Sequence, residues 1–320
     1  MLDAAEFLLA NRWQRSFPLA PRPFREIASQ ASLSEEAVLE KYRRLQADGV
    51  IDRIGPVFRP NAVGASSLAA MAVPPARLEA VARYVSEQPG VNHNYEREHR
   101  YNLWFVATGS SEAGVQSTLA CIEHAMGLPV LRLPLVEEFH IDLGFDLDDH
   151  AVPRGAGVKA VFPPLSVRER KLVGKTVQGL PLVPEPYAEV GRTLGIPEEQ
   201  VIRGLRRMLA DGRIRRLGAV IRHRRLGYQA NAMVVWDVPD EGVGTFGRLL
   251  ARDKAVTLCY RRARALPDWP YNLYCMVHGH QRTRVLAEIE RLGAAHGMAE
   301  FPRAVLFSTR CFAQRAAKYG

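Results

Sequence analysis

The stretch from Phe17, FPLAPRPFREIASQASLSEEAVLEKYRRLQADGVIDRIGPVFRPNAVG, aligns without a gap to the stretch from Leu180, LPLVPEPYAEVGRTLGIPEEQVIRGLRRMLADGRIRRLGAVIRHRRLG. Phe24 meets Tyr187, Gly49 meets Gly212 and Gly64 meets Gly227, all at an offset of 163 residues. The match continues more loosely to YNLWF at Tyr101 and YNLYC at Tyr271, where the offset reaches 170. Such self-similarity implies a tandem duplication of a unit of roughly 150 residues, so whatever fold the chain adopts must be built twice. The seam is expected in DLDDHAVPRGAGVKAVFPPLS, Asp146–Ser166, which is rich in Pro, Gly and charge as linkers are.

Within a unit the local pattern is readable. Phe24–Ala31 is expected to be a short helix. Ser34 can cap a second one, with Glu35 and Glu36 in the first turn, where the helix dipole favours acids. Val38, Tyr42 and Leu45 then mark an apolar stripe of helical period that Gly49 ends. Two helices followed by a short hairpin over Ile51–Arg59 would make a winged helix-turn-helix. A strand (Leu68–Val73), a helix (Ala76–Glu87), two strands (Val91–Arg97, Tyr101–Thr108), a helix (Glu112–Met126) and a last strand (Val130–His140) follow. That βαββαβ order predicts a ferredoxin-like domain, with helices on one face of an antiparallel sheet. The expected fold class is therefore α+β: a winged helix-turn-helix at 1–62, a ferredoxin-like domain at 63–145, a linker at 146–164, and the same pair again at 165–225 and 226–320.

Composition narrows the function classes. At 47% hydrophobic and 24% charged residues the chain reads as an ordinary globular protein and not as a disordered one. The four cysteines, Cys121, Cys259, Cys275 and Cys311, include no CxxC pair, which weakens zinc and dithiol readings. The start MLDAAEFLLANRW lacks the features of a signal peptide, and no long uncharged apolar run suits a bilayer, so a cytoplasmic protein without membrane association is expected. Charge is lopsided: residues 1–160 hold 16 Lys and Arg against 20 Asp and Glu, whereas residues 161–320 hold 27 against 14. A basic half calls for an anionic partner, or for docking against the acidic half.

Two strips stand out. In VNHNYEREHRYNLWF, Val91–Phe105, residues His93, Tyr95, Arg97 and His99 alternate and would share one face of a regular strand. The second unit has Leu258, Tyr260, Arg262 and Arg264 at the same spacing; it also carries His223 where the first has Pro60, and His278 where the first has Thr108. The copies thus share a scaffold of Tyr and Arg and differ in their proton-active groups. Ordinary drift in surface strands is the competing explanation.

The order of helix-turn-helix and ferredoxin-like domain resembles the Lrp/AsnC superfamily, most of whose members are DNA-binding regulators that sense amino acids. Sequence-specific DNA binding is nonetheless not expected. The second helices begin LSEEAVLEK and IPEEQVIRG, placing paired glutamates where phosphates would press. A narrower resemblance is carried by HNYEREHRYNLWF, RHRRLGYQANAMVVWDVP and CYRRARALPDWPYNLYCMVHG. These look like the two subunit types of the siroheme decarboxylases, the first unit similar to the NirD-like type and the second to the NirL-like type. That resemblance spans Phe17 to Tyr319. It implies removal of carboxyl groups from the C12 and C18 acetates of siroheme, giving 12,18-didecarboxysiroheme for haem d1 or an alternative route to haem. The other reading is an Lrp/AsnC-like ligand-sensing regulator.

The residues agree with what the resemblance implies. Siroheme carries many carboxylates, which suit arginine-rich walls, and a flat apolar ring, which suits aromatic ones. The conjugated macrocycle can accept the electron pair of decarboxylation, so no added cofactor or protein-held metal is expected, and iron arrives with the substrate. Candidate general acids are His93 and His99; His278 is a further candidate proton donor, with a plain strand end as its alternative, and His223 is a catalytic candidate that would touch iron or a carboxylate. Candidate carboxylate clamps are Arg97, Arg261 and Arg262, each with an ordinary salt bridge as its alternative, and Arg222 is a further substrate-binding candidate. Tyr95, Tyr101, Tyr260 and Tyr271 are candidates to stack on the ring, although Tyr101 and Tyr271 also fit a buried core. A homodimer, or a pseudo-heterodimer within one chain, is the expected assembly.

Overall fold

The computed structural model describes residues 2–141 and 162–319. The first unit runs α1 (Ala4–Arg12), α2 (Pro23–Ala31), α3 (Glu35–Ala47), β1 (Ile51–Phe58), β2 (Ala65–Met71), α4 (Leu78–Glu87), β3 (Val91–Arg97), β4 (Leu103–Gly109), α5 (Glu112–Met126) and β5 (Leu131–Ile141). The second repeats that order: α6 (Val167–Thr176), α7 (Pro186–Leu194), α8 (Glu198–Ala210), β6 (Ile214–Ile221), β7 (Ala230–Trp236), α9 (Val243–Arg252), β8 (Val256–Arg262), β9 (Leu273–Gly279), α10 (Arg282–Ala295) and β10 (Arg303–Gln314). Most of the expected linker at 146–164 lies outside the described residues.

Ser34 caps α3, its hydroxyl accepting from the Ala37 amide at 3.1 Å. After α3 the chain turns at Gly49 with φ of 69°, and after α8 at Gly212 with φ of 80°, a region glycine enters without steric cost. Helices α1 and α6, which precede the expected pairs, complete three-helix bundles. Both bundles share one hydrophobic core, in which Leu9, Ile27 and Tyr42 of the first unit join Leu172, Tyr187 and Leu205 of the second.

The expected hairpin over Ile51–Arg59 does not form. That stretch is the single strand β1, and its antiparallel partner is β6 of the other unit, with Gly55 opposite Gly218. A two-residue hairpin turn here would need positive φ near Gly55–Pro56, whereas proline fixes φ near −65°. The strand stays extended instead and takes its partner from the second copy. The two central glycines admit close backbone neighbours: the Ala219 amide donates to the Trp13 carbonyl at 2.9 Å, and the Leu180 amide donates to Ile54 at 2.7 Å. A Cβ on Gly218 would lie 2.2 Å from the Trp13 oxygen.

The remaining eight strands close an antiparallel barrel in the order β10-β3-β4-β2-β5-β8-β9-β7. Each half is a βαββαβ sheet, as expected, and the halves join at β5–β8 and β10–β3. Helices α4 and α5 cover the outside of one half, and α9 and α10 the other. Alternate residues face inward. Toward one end the interior is plugged by Trp104, Trp269, Tyr101 and Tyr274. The repeated YN pair has a structural cause. Asn102 bonds both backbone groups of Val73 at 2.9 Å. Asn272 does the same at Val238, at 2.8 and 3.1 Å. Each carboxamide thereby satisfies backbone groups just beyond a strand end, where ladder partners stop.

Candidate active site

Between the β1–β6 sheet as roof and the unplugged barrel as floor lies a cavity of about 360 Å³, within the size range of small-molecule sites. Its floor is paired across the two units. Leu68 and Met233 pack there, as do Val106 and Met276, Tyr95 and Tyr260, Arg97 and Arg262. The strand registers make these pairs equivalent: Ser308 faces Arg97 on β3, and Leu135 faces Arg262 on β8.

The two arginines are held alike. Arg97 donates from Nη1 to the Leu306 carbonyl at 3.2 Å, and Arg262 from Nη1 to the Leu133 carbonyl at 2.6 Å. Their guanidinium carbons stand 5.8 Å from the Tyr95 ring and 4.7 Å from the Tyr260 ring, distances at which a cation is attracted to the ring face. The Nε of Arg262 is buried without a hydrogen-bond partner, as are the Nε of Arg53 and the Oδ1 atoms of Asn92 and Asn231, all on the cavity wall. Buried polar groups are normally satisfied, so these are open donors and acceptors that a polar ligand can meet.

Of the four sequence-predicted histidines, His93 and His278 reach the cavity. His93 is half-buried because the surface it shows is cavity wall; protein encloses the rest. Burial, aided by the Arg53 guanidinium and opposed by the Asp52 carboxylate, pushes its imidazole down to about 4, so it is neutral near pH 7. It stacks parallel to Tyr95, with centroids 6.3 Å apart. His278, near the end of β9, has its Nδ1 2.9 Å from the Thr257 hydroxyl oxygen, and that hydroxyl donates to the Met276 carbonyl at 3.3 Å. The Thr257 hydroxyl thus ties the Nδ1 edge of His278 to the β9 backbone and fixes the ring against the cavity wall.

The others are placed elsewhere. His99 lies beyond the end of β3, so the run of four alternating residues breaks after Arg97. Its Nδ1 accepts from the Tyr101 amide at 3.0 Å, and its ring meets Trp269 edge-on at 5.3 Å. Tyr101 and Tyr271 belong to the aromatic plug, each against Trp269. Arg261, one residue out of phase with Tyr260 and Arg262, turns away and pairs with exposed Asp240 at 2.8 Å. Arg222 binds Asp52 at 2.6 Å, behind the lining. His223 opens a short turn after β6, and its side chain lies outside the described residues.

The roof holds what sequence reasoning missed. Asp52 is the one carboxylate among the described lining residues, and it pairs with Arg53 at 2.6 Å as well as with Arg222. The C-terminal segment closes one side. Arg315 donates to the carbonyls of Ser86, Gln88 and Val91 at 2.7–2.9 Å, which straps Ala316, Ala317 and Tyr319 along the cavity. Burial pushes the Tyr319 phenol up to about 12. Four arginines against one aspartate make the lining cationic. The aligned repeats did hold one signal for the roof: Asp52 stands where the second unit has Arg215, and Arg53 where it has Arg216.

Comparison with known proteins agrees with this arrangement. The family profile described as AsnC-like ligand binding domain matches residues 62–140 and 225–313. The profile described as siroheme decarboxylase NirDL-like HTH domain matches residues 9–51 and 169–215. The chain is 42% identical over 324 aligned positions, 99% of its own length and 97% of the relative's, to the siroheme decarboxylase NirDL subunit of Paracoccus denitrificans. A crystal structure of the siroheme decarboxylase NirDL superposes with a TM-score of 0.72 at 29% identity, covering 98% of this chain and 94% of that one. A second, in complex with an iron-uroporphyrin III analogue, gives 0.70 at 28% identity, covering 98% and 93%. Among the described residues no helix is long and apolar enough to cross a membrane, and no cluster of three or more His, Cys, Asp or Glu could hold a metal.

Proposed function

This chain belongs to the siroheme decarboxylase family of the fused NirDL type, and on that premise we propose that the cavity between roof and barrel binds siroheme and removes carboxyl groups from the C12 and C18 acetates. The product is 12,18-didecarboxysiroheme, destined for haem d1 or an alternative route to haem. The observation that carries the reading is an apolar cavity lined by Arg53, Arg97 and Arg262, with the Nε donors of Arg53 and Arg262 buried and unmatched. Charge-assisted hydrogen bonds to several carboxylates are what such donors favour. Leu68, Val106, Met233 and Met276 offer the apolar surface a macrocycle needs.

In the reaction the bond between acetate methylene and carboxyl carbon breaks, carbon dioxide leaves, and the electron pair passes into the conjugated ring. A proton then adds to the methylene carbon to give a methyl group. His93 and His278 are the donors within reach of bound substrate. Carboxylates entering beside His93 oppose the burial that keeps it neutral, so binding itself raises its affinity for the proton it must deliver. Iron is carried by the substrate, and the ring supplies the electron sink without an added cofactor.

We read the chain as a tandem duplication, NirD-like then NirL-like, with the boundaries 1–62, 63–145, 165–225 and 226–320. It acts as a pseudo-heterodimer within one chain, in the cytoplasm, where its four free cysteines stay reduced. We read the helical bundles as the support of the β1–β6 roof and not as DNA readers; the pairing of the two would-be wings with each other supports that reading. Anaerobic incubation with siroheme followed by mass analysis tests the reading. Loss of two carbon dioxide units per ring supports it, and unchanged mass overturns it.

A further inference from the structure

The cavity walls combine two like clamps with two unlike acids. In the barrel order, β3 lies diametrically opposite β8, and β4 opposite β9. Arg97 and Arg262 therefore face each other as equivalents. The histidines do not. Across from His93 on β3 stands Leu258 on β8; across from His278 on β9 stands Thr108 on β4. Among the described residues each flank thus has one imidazole, in its own setting. His93 lies along Tyr95, with the roof charges Asp52 and Arg53 acting on it. His278 is oriented by Thr257, and the roof residues equivalent to Asp52 and Arg53 are turned elsewhere. Arg215 pairs with Glu138, and Arg216 donates to the Gln14 and Ala219 carbonyls at 2.6 and 2.9 Å.

We propose that the cavity contains two decarboxylation stations, one at His93 and one at His278, and that each serves a different acetate of the same substrate. The proposal rests on the decarboxylase reading above and adds the division of labour. At either station the carbon–carbon bond to the carboxyl group breaks, the electron pair enters the ring, carbon dioxide departs, and that station's imidazolium gives its proton to the methylene carbon. The imidazole is recharged from solvent. The equivalent clamps of Arg97 and Arg262 hold carboxylates at both flanks, so loss of one acid leaves the other flank loaded and competent. Thr257 is a positioning residue for the second station only.

The test compares wild type with His93→Gln, His278→Gln and Thr257→Val under anaerobic conditions with siroheme, with binding checked by absorbance titration. Each histidine variant is expected to bind siroheme and to stop at a product that has lost one carbon dioxide, its second loss slowed at least tenfold. The retained acetate, located by NMR, should differ between the two variants. Thr257→Val should accumulate the same intermediate as His278→Gln. A variant that removes both carboxyls at the wild-type rate overturns the proposal. So do two variants that stall at the same isomer, or a variant that binds siroheme yet removes neither carboxyl. If the wild-type chain itself removes none, the decarboxylase reading has failed, which is a different outcome from these.

Discussion

The two units differ least where they hold the barrel together and most where they face the cavity ends. Asn102 and Asn272 perform the same backbone task, and Arg97 and Arg262 donate to equivalent leucine carbonyls. By contrast, His93 is matched by Leu258, His278 by Thr108, Asp52 by Arg215 and Arg53 by Arg216. An enclosure made of two copies needs equal walls to close, because each half's edge strands pair with the other's. An asymmetric substrate needs unequal ends. Duplication followed by divergence at a few inward positions supplies both.

The largest effect expected from this comparison lies in the wing sheet. Gly218→Ala would press a Cβ to 2.2 Å from the Trp13 carbonyl oxygen, a backbone atom that cannot swing aside, while Gly55→Ala meets its neighbours at 3.2 Å. The first should cost about 4 kcal/mol in denaturant unfolding and the second about 1 kcal/mol. Equal losses would break the claimed difference between the two sides of the roof. Next come the paired carboxamides. Asn272→Ala strands the buried backbone groups of Val238 and should cost about 3 kcal/mol; Asn102→Ala, at a less buried site, about 2 kcal/mol. A cost near zero at either would remove the shared structural role.

The pH dependence sharpens the contrast between His93 and Leu258. Folded His93 titrates near 4, below the ordinary 6.5. Between those values the unfolded chain takes up a proton that the folded chain refuses. The stability associated with neutral His93 is therefore present above pH 6.5 and is lost as pH falls toward 4, by up to about 3 kcal/mol. Urea titrations at pH 7 and 4.5 should show wild type losing more stability than His93→Gln; equal losses would contradict the buried, neutral imidazole. The smallest effect concerns the roof arginines. Arg53→Gln should weaken siroheme binding about tenfold with little change in stability, whereas Arg216→Gln should destabilise the helical core and leave affinity nearly unchanged. The reverse pattern would mean that the roof has been assigned the wrong way round.

The repeat, the βαββαβ order and the alternation of His93, Tyr95 and Arg97 were legible because they follow local periodicity. The strands Val91–Arg97 and the helix Glu112–Met126 appear with the expected bounds. What escaped was non-local. A single strand that pairs with its own copy looks, in sequence, like half of a hairpin, so nothing local marks Asp52 and Arg53 as part of a cavity roof. His99 fits the period of two, but the strand ends at Arg97, and periodicity has no say beyond a strand's end. Arg261 next to Arg262 shows the same limit: adjacent residues on a strand face opposite sides, and only the pairing with Asp240 tells which side is outside.

Titration of the full chain with iron-uroporphyrin, followed by absorbance, measures the property on which the rest depends. One cavity shared by both units predicts saturation at one ring per chain, with Arg97→Ala and Arg262→Ala each weakening that single event. Saturation at two rings per chain, or binding indifferent to both substitutions, would contradict a common site between roof and barrel.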